Sequence, residues 1–184
     1  MSSECEPLSK FLSYVLRHKP EYIGLNLDDE GWAAIDELKS GSAEKGVVVD
    51  TLKIKELISL SDKVRFEFSK DELRVRAIQG HSSKLVARNF IRCSPPLYLY
   101  HGTARRFLES ICDYGIVKGE RHYVHLTTDK LAALEVGRRY GKAVVITVNS
   151  HAMDADGYAF YKAENGVWLT DLVPQIFINK IEDA

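Results

Sequence analysis

The stretch KVRFEFSKDELRVRAI, residues 63–78, alternates apolar and polar residues on both sides of a short polar segment. A period of two on each side of a turn predicts a β-hairpin. If Leu73 and Val75 face the core, Arg74 and Arg76 project together from the opposite face. The hairpin therefore predicts both a small sheet and a pair of arginines on one side of it.

Helical patterns precede this hairpin. Apolar residues at helical spacing form one stripe that ends in VLRHKP, residues 15–20, where Lys19 and Pro20 are assigned to helix termination. The segment WAAIDEL, residues 32–38, reads as a short helix that Gly41 helps to end. Asp50 is a candidate N-cap for a helix that runs through Ile58. Short helices followed by a two-stranded wing predict a winged-helix-like lobe, a topology that does not by itself establish function.

The second half of the chain begins after CSPPLYLYHGT, residues 93–103, whose two adjacent prolines interrupt the preceding pattern. Helices and strands then alternate, with a strand at residues 97–100, a helix from Thr103 to Tyr114, and a tight turn at Asn165 and Gly166. The predicted fold class is α+β, with two lobes at residues 1–94 and 95–184.

Composition restricts the function. Of the 184 residues, 28% are charged, but the net charge is only -1, so any anion site must be a local cluster of basic side chains. The three cysteines, Cys5, Cys93 and Cys112, form no CxxC pair, which argues against a zinc site or a disulfide framework. The N-terminus lacks the pattern of a signal peptide, and no apolar run reaches membrane-spanning length. These features predict a soluble cytoplasmic protein.

Four short stretches place polar groups at the ends of predicted elements: RHKP (17–20), RAIQGHS (76–82), YHGT (100–103) and ERHYVHL (120–126). Each also has a purely structural interpretation. Cations favour the C-terminal end of a helix, and Arg76 alone would be a solvated hairpin residue. Ser82 could cap a helix that begins near Lys84, and His101 could be a hydrogen-bonded histidine at a strand end.

Other chemistries lack their motifs. The six histidines show no HExxH or other compact metal spacing, and no GxSxG elbow, P-loop or GxGxxG fingerprint occurs. Several arginines together with histidines suit an anion with several oxygens, because guanidinium groups present paired donors to phosphate.

Five segments in order resemble the RNA (tRNA) 2'-phosphotransferase family: LSKFLSYVLRHKP, RVRAIQGHS, LYHGT, GERHYVHL and AENGVWLT. The resemblance implies an N-terminal winged-helix lobe that helps to hold RNA and a C-terminal lobe of ADP-ribosyltransferase type that holds NAD⁺. It implies NAD⁺ as co-substrate and no metal. The partners implied are an RNA that carries a 2'-phosphate and NAD⁺, with no membrane and no obligate protein partner.

The implied reaction has two steps. The RNA 2'-phosphate attacks the NAD⁺ ribose carbon that bears nicotinamide, so that nicotinamide leaves and ADP-ribose is linked to the phosphate. The neighbouring ribose hydroxyl then attacks phosphorus, which releases RNA with a 2'-hydroxyl and ADP-ribose 1'',2''-cyclic phosphate. Such a reaction belongs to tRNA splicing and processing in the family, although the sequence does not identify the physiological RNA.

The resemblance also assigns residues. The family's essential basic residues match Arg17, His18, Arg76 and Arg121. Arg17 and Arg76 would hold the 2'-phosphate, Arg121 would stabilise charge on phosphorus in the second step, and His18 would donate to a phosphate oxygen or carry a proton.

The NAD⁺-site pattern of the family matches His101, Gly102, Thr103, His125 and Val167. The glycine would allow close backbone approach, and Val167 stands where related transferases carry a catalytic glutamate. Two alternatives remain open. One is a nucleic-acid phosphate ADP-ribosyltransferase that stops after the first step, and the other is a non-enzymatic winged-helix nucleic-acid-binding module.

Overall fold

The computed structural model describes residues 5–60 and 64–183, so that Lys63 of the predicted hairpin segment and the side chain of Cys5 lie outside the description. The chain divides into two compact units, one ending at Asn89 and the other beginning at Phe90. The described residues form a mixed α/β fold with six α-helices and several small sheets. The functions predicted for lobes 1–94 and 95–184 stay predictions.

The described residues of the first unit form α1 (Cys5–Arg17), a 3₁₀ turn (Pro20–Ile23), β1 (Ala33–Ala34), α2 (Ile35–Glu44), α3 (Thr51–Ser59), β2 (Phe66–Phe68) and β3 (Arg74–Ala77). The three strands make one antiparallel sheet of order β1–β3–β2. The core of this unit is built from apolar side chains of all three helices and of the sheet, among them Leu12, Leu16, Leu38, Ile54, Phe66 and Val75.

The segment predicted as a helix over residues 32–38 is only partly helical. Ala33 and Ala34 form β1 and pair with Val75 and Arg74, so α2 begins at Ile35. The helix also continues through Gly41 to Glu44, and a Cβ on Gly41 would lie 2.1 Å from the carbonyl oxygen of Ile23. Gly41 thus permits close packing and does not end the helix.

The predicted hairpin is confirmed as β2 and β3, and Val75 is fully buried. Leu73 is 68% exposed, because β3 begins only at Arg74 and Leu73 belongs to the turn. The guanidinium groups of Arg74 and Arg76 lie 5.6 and 4.2 Å from the ring centre of Trp32, so both occupy the face opposite Val75. The predicted cap of α3 is also confirmed, since Asp50 accepts a hydrogen bond from the Lys53 amide at 2.8 Å.

The second unit contains two three-stranded antiparallel sheets, of order β11–β7–β4 and β6–β9–β8, and a pair β10–β5. Its strands are β4 (Leu99–Ala104), β5 (Ile116–Val117), β6 (Val124–Leu126), β7 (Ala143–Val148), β8 (Tyr161–Lys162), β9 (Trp168–Thr170), β10 (Leu172–Val173) and β11 (Ile178–Asp183). Its helices are α4 (Leu108–Tyr114), α5 (Lys130–Arg138) and α6 (Ser150–Ala155). Among the residues that the structure describes, no helix has the length and apolarity needed to cross a membrane.

The first strand of this unit is longer than predicted. Residues 99–104 all pair with β7, so Thr103 and Ala104 belong to the strand. A 3₁₀ turn (Arg105–Phe107) follows, and α4 begins only at Leu108. Pairing with a buried neighbouring strand outweighed the local helical pattern. The predicted turn at Asn165 and Gly166 is confirmed, because Gly166 has φ +81° and its amide donates to the Ala163 carbonyl at 2.9 Å.

Candidate functional site

The basic turn at the end of α1 packs into the first unit. The guanidinium carbon of Arg17 lies 5.9 Å from the ring centre of Phe66, and the Arg17 Nε and Nη2 atoms are buried. A Cβ on Gly80 would lie 3.5 Å from Arg17 Nη1. The arginine head group is therefore folded back over the core and bordered by the loop after β3.

That loop also holds His18. The Ser82 and Ser83 amides donate to the Arg17 carbonyl at 2.9 and 3.2 Å, and Ser82 Oγ lies 2.9 Å from His18 Nδ1. Ser82 caps no helix near Lys84, since residues 84–89 are not helical. The structure thus joins the segments RHKP and RAIQGHS, which the sequence analysis considered separately.

Arg76 lies on the other face of the hairpin from Phe66 and is already surrounded by polar groups. Its Nε donates to Glu67 at 2.7 Å, and its Nη1 donates to the carboxylate and the carbonyl of Glu30 at 3.2 and 3.3 Å. Its guanidinium stacks on Trp32, and only 12% of its side chain is exposed. Arg76 is therefore a fixed cation and not a solvated hairpin residue.

These neighbours of Arg76 belong to none of the sequence motifs that contain the candidate site residues. Glu67 was within reach of prediction, because the hairpin register places it directly opposite Arg76. Glu30 and Trp32 could not be predicted as neighbours of Arg76, because they precede β1, whose residues the sequence pattern assigned to a helix. No local signal in the sequence brings residues 30 and 76 together.

In the second unit, the two three-stranded sheets meet at one point. Within the described residues, β4 and β6 share a single isolated bridge, in which the amides and carbonyls of Tyr100 and Thr127 pair at 2.8 and 3.0 Å. Extending this antiparallel register would place Gly102 opposite His125. The Arg105 amide donates to the Lys142 carbonyl, on the β7 side of the strand. The amides and carbonyls of successive residues face alternate sides of a strand, so those of Gly102, three residues earlier, face away from β7 at a position beyond the bridge.

The carbonyl of His125 has a side-chain partner at this split. The Nδ1–H of His101 donates to it at 3.0 Å, and the Arg121 Nη1 donates to His125 Nδ1 at 3.3 Å. A carbonyl only accepts and a guanidinium only donates, which assigns the proton of neutral His101 to Nδ1 and that of neutral His125 to Nε2. Three predicted site residues are thus linked by two hydrogen bonds.

The environment keeps His101 neutral. Desolvation of the imidazole lowers its pKa most, and the nearby charge of Arg121 lowers the pKa further, while the bond to His125 opposes both effects. A neutral ring with its proton on Nδ1 leaves the Nε2 lone pair as an acceptor. His101 is therefore arranged to accept a hydrogen bond from a hydroxyl or amide group.

Gly102 has a packing function that the sequence analysis did not anticipate. A Cβ here would lie 1.7 Å from the Ala133 carbonyl oxygen of α5, and a Cβ on Gly137 would lie 2.5 Å from the Thr103 carbonyl. The two glycines let α5 lie directly on the backbone of β4. Thr103 is 6% exposed, so its side chain belongs to the interior.

Of the remaining predicted residues, His125 lies in β6, and Val167 directly precedes β9 of the same sheet. His125, Leu169 and Tyr161 are opposite one another across it, and Val167 continues the same alternation two residues before Leu169. Tyr161 packs against Tyr123 with ring centres 5.6 Å apart. Desolvation raises the pKa of Tyr123, so its hydroxyl stays protonated near neutral pH.

The predicted residues are therefore divided between the two units, and no described contact joins Arg76 to Arg17 or His18 within the first unit. Arg17, His18 and Arg76 belong to the first unit, and His101, Arg121 and His125 belong to the second. The catalytic and NAD⁺-binding functions assigned to them stay predictions. Among residues 5–60 and 64–183, no group of three or more His, Cys, Asp or Glu side chains has the arrangement of a metal site.

Comparison with known proteins gives the family of the chain. A family profile described as "RNA 2'-phosphotransferase, Tpt1 / KptA family" matches residues 3–172. A protein of Pseudomonas aeruginosa named "Probable RNA 2'-phosphotransferase" is 52% identical over 172 residues, 94% of each chain. Proteins with the same name from Pseudomonas fluorescens and Escherichia coli are 50% and 49% identical, covering 96% and 95% of this chain and 97% and 95% of their own. The chain belongs to the RNA 2'-phosphotransferase, Tpt1 / KptA family.

Proposed function

We propose that this protein is a transferase that removes an internal 2'-phosphate from RNA and passes it to NAD⁺. The products are RNA with a 2'-hydroxyl, nicotinamide and ADP-ribose 1'',2''-cyclic phosphate. Membership in the family over nearly the whole chain carries the proposal, because relatives that match the chain at about 50% identity are named probable RNA 2'-phosphotransferases. The first unit is proposed to be winged-helix-like and the second ADP-ribosyltransferase-like.

The positions of the basic residues support the phosphate chemistry. Arg17 and Arg76 are held by their surroundings, so little conformational entropy remains to be lost when they bind an oxyanion. They would orient the 2'-phosphate oxygen for attack on the ribose carbon that bears nicotinamide. His18, whose ring is hydrogen-bonded to Ser82, would contact a second phosphate oxygen.

Arg121 suits the second step. The Arg121 side chain is exposed and donates to the ring of His125. The described partners of Arg121 include no carboxylate, so its positive charge is available to an anion. When the ribose hydroxyl attacks phosphorus, negative charge collects on the phosphoryl oxygens, and a positioned guanidinium stabilises it. The oxygen bound to the RNA ribose then leaves and takes a proton to become the 2'-hydroxyl.

The second unit offers groups that fit NAD⁺. The Gly102 amide and carbonyl point out at the split between β4 and β6, where they suit pairing with a carboxamide. The Nε2 atom of neutral His101 suits a ribose hydroxyl. His125, Thr103 and Val167 complete the proposed set. A ligand would contact Gly102 through its amide and carbonyl groups, because α5 occupies the position where a Cβ would lie.

The test is product analysis. Purified protein is incubated with NAD⁺ and an oligoribonucleotide that carries one internal 2'-phosphate, and the RNA and the nucleotide products are separated. We expect the 2'-hydroxyl RNA and one cyclic phosphate per nicotinamide released. A persistent ADP-ribosylated RNA would instead identify a phosphate ADP-ribosyltransferase, and RNA binding without nicotinamide release would identify a binding module.

A further inference from the structure

The first unit contains a cluster of charged side chains around Arg76 that the proposed chemistry does not use. Two carboxylates, Glu30 and Glu67, contact Arg76, and the Glu30 carboxylate also lies 3.8 Å from Arg88 Nε. Arg88 is almost completely buried, at 3% side-chain exposure. Two acidic and two basic side chains thus share one site.

Glu30 is the centre of this cluster. One carboxylate oxygen accepts from Arg76 and lies near Arg88, and the other accepts from the amide and side chain of Asn89 at 3.3 and 3.5 Å. The carbonyl of Glu30 also accepts from Arg76 Nη1. Arg88 Nη1 donates to the Ile78 carbonyl, two residues after Arg76, which fixes the arginine that lies beside Glu30. Glu30 is therefore held from one side while it holds Arg76 from the other.

The electrostatic cost of this arrangement argues for a positioning function. A carboxylate beside a phosphate-binding arginine repels the phosphate and weakens ground-state binding. It also fixes the planar guanidinium, which otherwise has many rotamers, and Trp32 fixes the plane itself. A carboxylate that opposes binding but fixes orientation is expected to favour the chemical step, so its removal should lower kcat without weakening binding.

We propose that Glu30 is a positioning residue that sets the orientation in which Arg76 receives the RNA 2'-phosphate. This inference rests on the proposed function. Arg88 and Asn89 hold Glu30, and Trp32 and Glu67 complete the support.

The same strand provides a matched control. Arg74 lies two residues before Arg76, over the same ring of Trp32, and pairs with Asp28 at 3.4 Å. This pair is exposed, with 48% and 40% of the two side chains accessible. Asp28 Oδ1 also accepts from the Trp32 amide at 2.8 Å, so the control must keep this oxygen. Asp28→Asn does so, and it removes a negative charge from beside a neighbouring arginine that has no proposed catalytic function.

The kinetic test uses the full chain with NAD⁺ and 2'-phosphorylated RNA. Glu30→Ala is expected to lower kcat about 10- to 100-fold without raising KM for RNA, because misorientation affects the reaction and the loss of a negative charge does not weaken phosphate binding. Glu30→Gln keeps an acceptor oxygen and is expected to lose less than Glu30→Ala, and Asp28→Asn should match the wild type. In the Arg76→Ala background, Glu30→Ala should have no further effect. Effects that multiply would overturn the proposal.

A second readout does not depend on activity. The Arg76 Nε–H signal in ¹H–¹⁵N NMR spectra, identified by its loss in Arg76→Lys, reports the guanidinium directly. It is expected to be resolved in the wild type and in Asp28→Asn, and to shift in Glu30→Ala, because only Glu67 and Trp32 then still hold the guanidinium. An unchanged signal in folded Glu30→Ala would overturn the positioning function. If the wild type lacks activity, the proposed function fails, and this spectrum still decides whether Glu30 orients Arg76.

Discussion

At the scale of single residues, the proposed phosphate-binding arginines differ in how much the fold depends on them. Arg121 is exposed and contacts His125 from a turn, whereas Arg76 is mostly buried between two carboxylates and an indole ring. Substitution of Arg121 is therefore expected to affect the reaction alone, whereas substitution of Arg76 is expected to affect both the reaction and the stability of the fold.

We expect Arg121→Ala to lower kcat about 10²- to 10³-fold, because one charge contact to the transition state is lost. Its free energy of unfolding should change by less than about 0.5 kcal/mol, as for other exposed substitutions.

Arg76→Ala should lower activity at least ~10²-fold and also cost about 1–3 kcal/mol of stability, since it leaves two carboxylates without this partner. Steady-state kinetics and urea denaturation check both, and an Arg121→Ala protein with full activity would contradict the proposed second step.

The neutral state of His101 predicts a pH dependence of stability. Because its pKa is lowered in the folded protein, the unfolded chain binds the proton first, near pH 6.5. The contribution of a neutral His101 is therefore present above pH 6.5 and is lost as the pH falls through the lower folded-state pKa.

His101→Asn keeps an N–H near the position of Nδ1 but does not titrate. We expect the free energy of unfolding to fall less steeply between pH 6.5 and 5 in this variant than in the wild type. Urea denaturation at several pH values measures the free energy of unfolding of both proteins. The other histidines are the same in both, so their contribution cancels in the difference between the two pH profiles. Parallel pH profiles for the two proteins would show that His101 does not titrate abnormally.

Residue identities were the most predictable part of the site, and contacts the least. The sequence indicated the basic residues and the histidines, because ligand-capable groups at element ends form visible motifs. The hydrogen bond from His101 to His125 and the pairing of Arg76 with Glu30 depend on residues 24 and 46 positions apart. No local pattern encodes such distances.

At the scale of elements, α5 and β4 depend on glycine for their contact. Gly102→Ala would place a Cβ 1.7 Å from the Ala133 carbonyl oxygen, and backbone atoms on both sides limit relaxation. We expect a loss of about 3 kcal/mol or more of unfolding free energy, because overpacking against a rigid backbone displaces the helix.

Gly119→Ala is the control for this substitution. Gly119 has φ +59° and open space where a Cβ would lie, so alanine there introduces backbone strain without a steric clash. A loss of about 1–2 kcal/mol is expected, and denaturant titration compares the two variants. Equal losses would mean that α5 accommodates the methyl group at Gly102.

Element types followed from the sequence more closely than their ends did. The alternation in residues 63–78 predicted the hairpin, and Asp50 predicted the start of α3. The ends of β4 and α2 were misplaced because tertiary contacts set them: β7 extends β4 to Ala104, and the carbonyl of Ile23 requires a glycine inside α2. Local propensity contains no information about either neighbour.

At the scale of the whole molecule, each unit has its own apolar core. The fully buried core residues of the first unit lie between Leu12 and Ala77, and those of the second between Leu99 and Phe177. A unit with a separate core is expected to fold alone, although a chain of this size buries a smaller fraction of its surface and is less stable.

We predict that residues 1–89 and 90–184, produced separately, each unfold cooperatively on heating, at lower temperatures than the full chain. Circular dichroism measures both transitions. Neither fragment alone should release the 2'-phosphate in the presence of NAD⁺, because Arg17 and Arg76 belong to one fragment and His101 and Arg121 to the other. The full chain assayed in parallel is the control. A fragment without a cooperative transition would mean that its core needs the rest of the chain, and turnover by one fragment would remove the missing residues from the proposed mechanism.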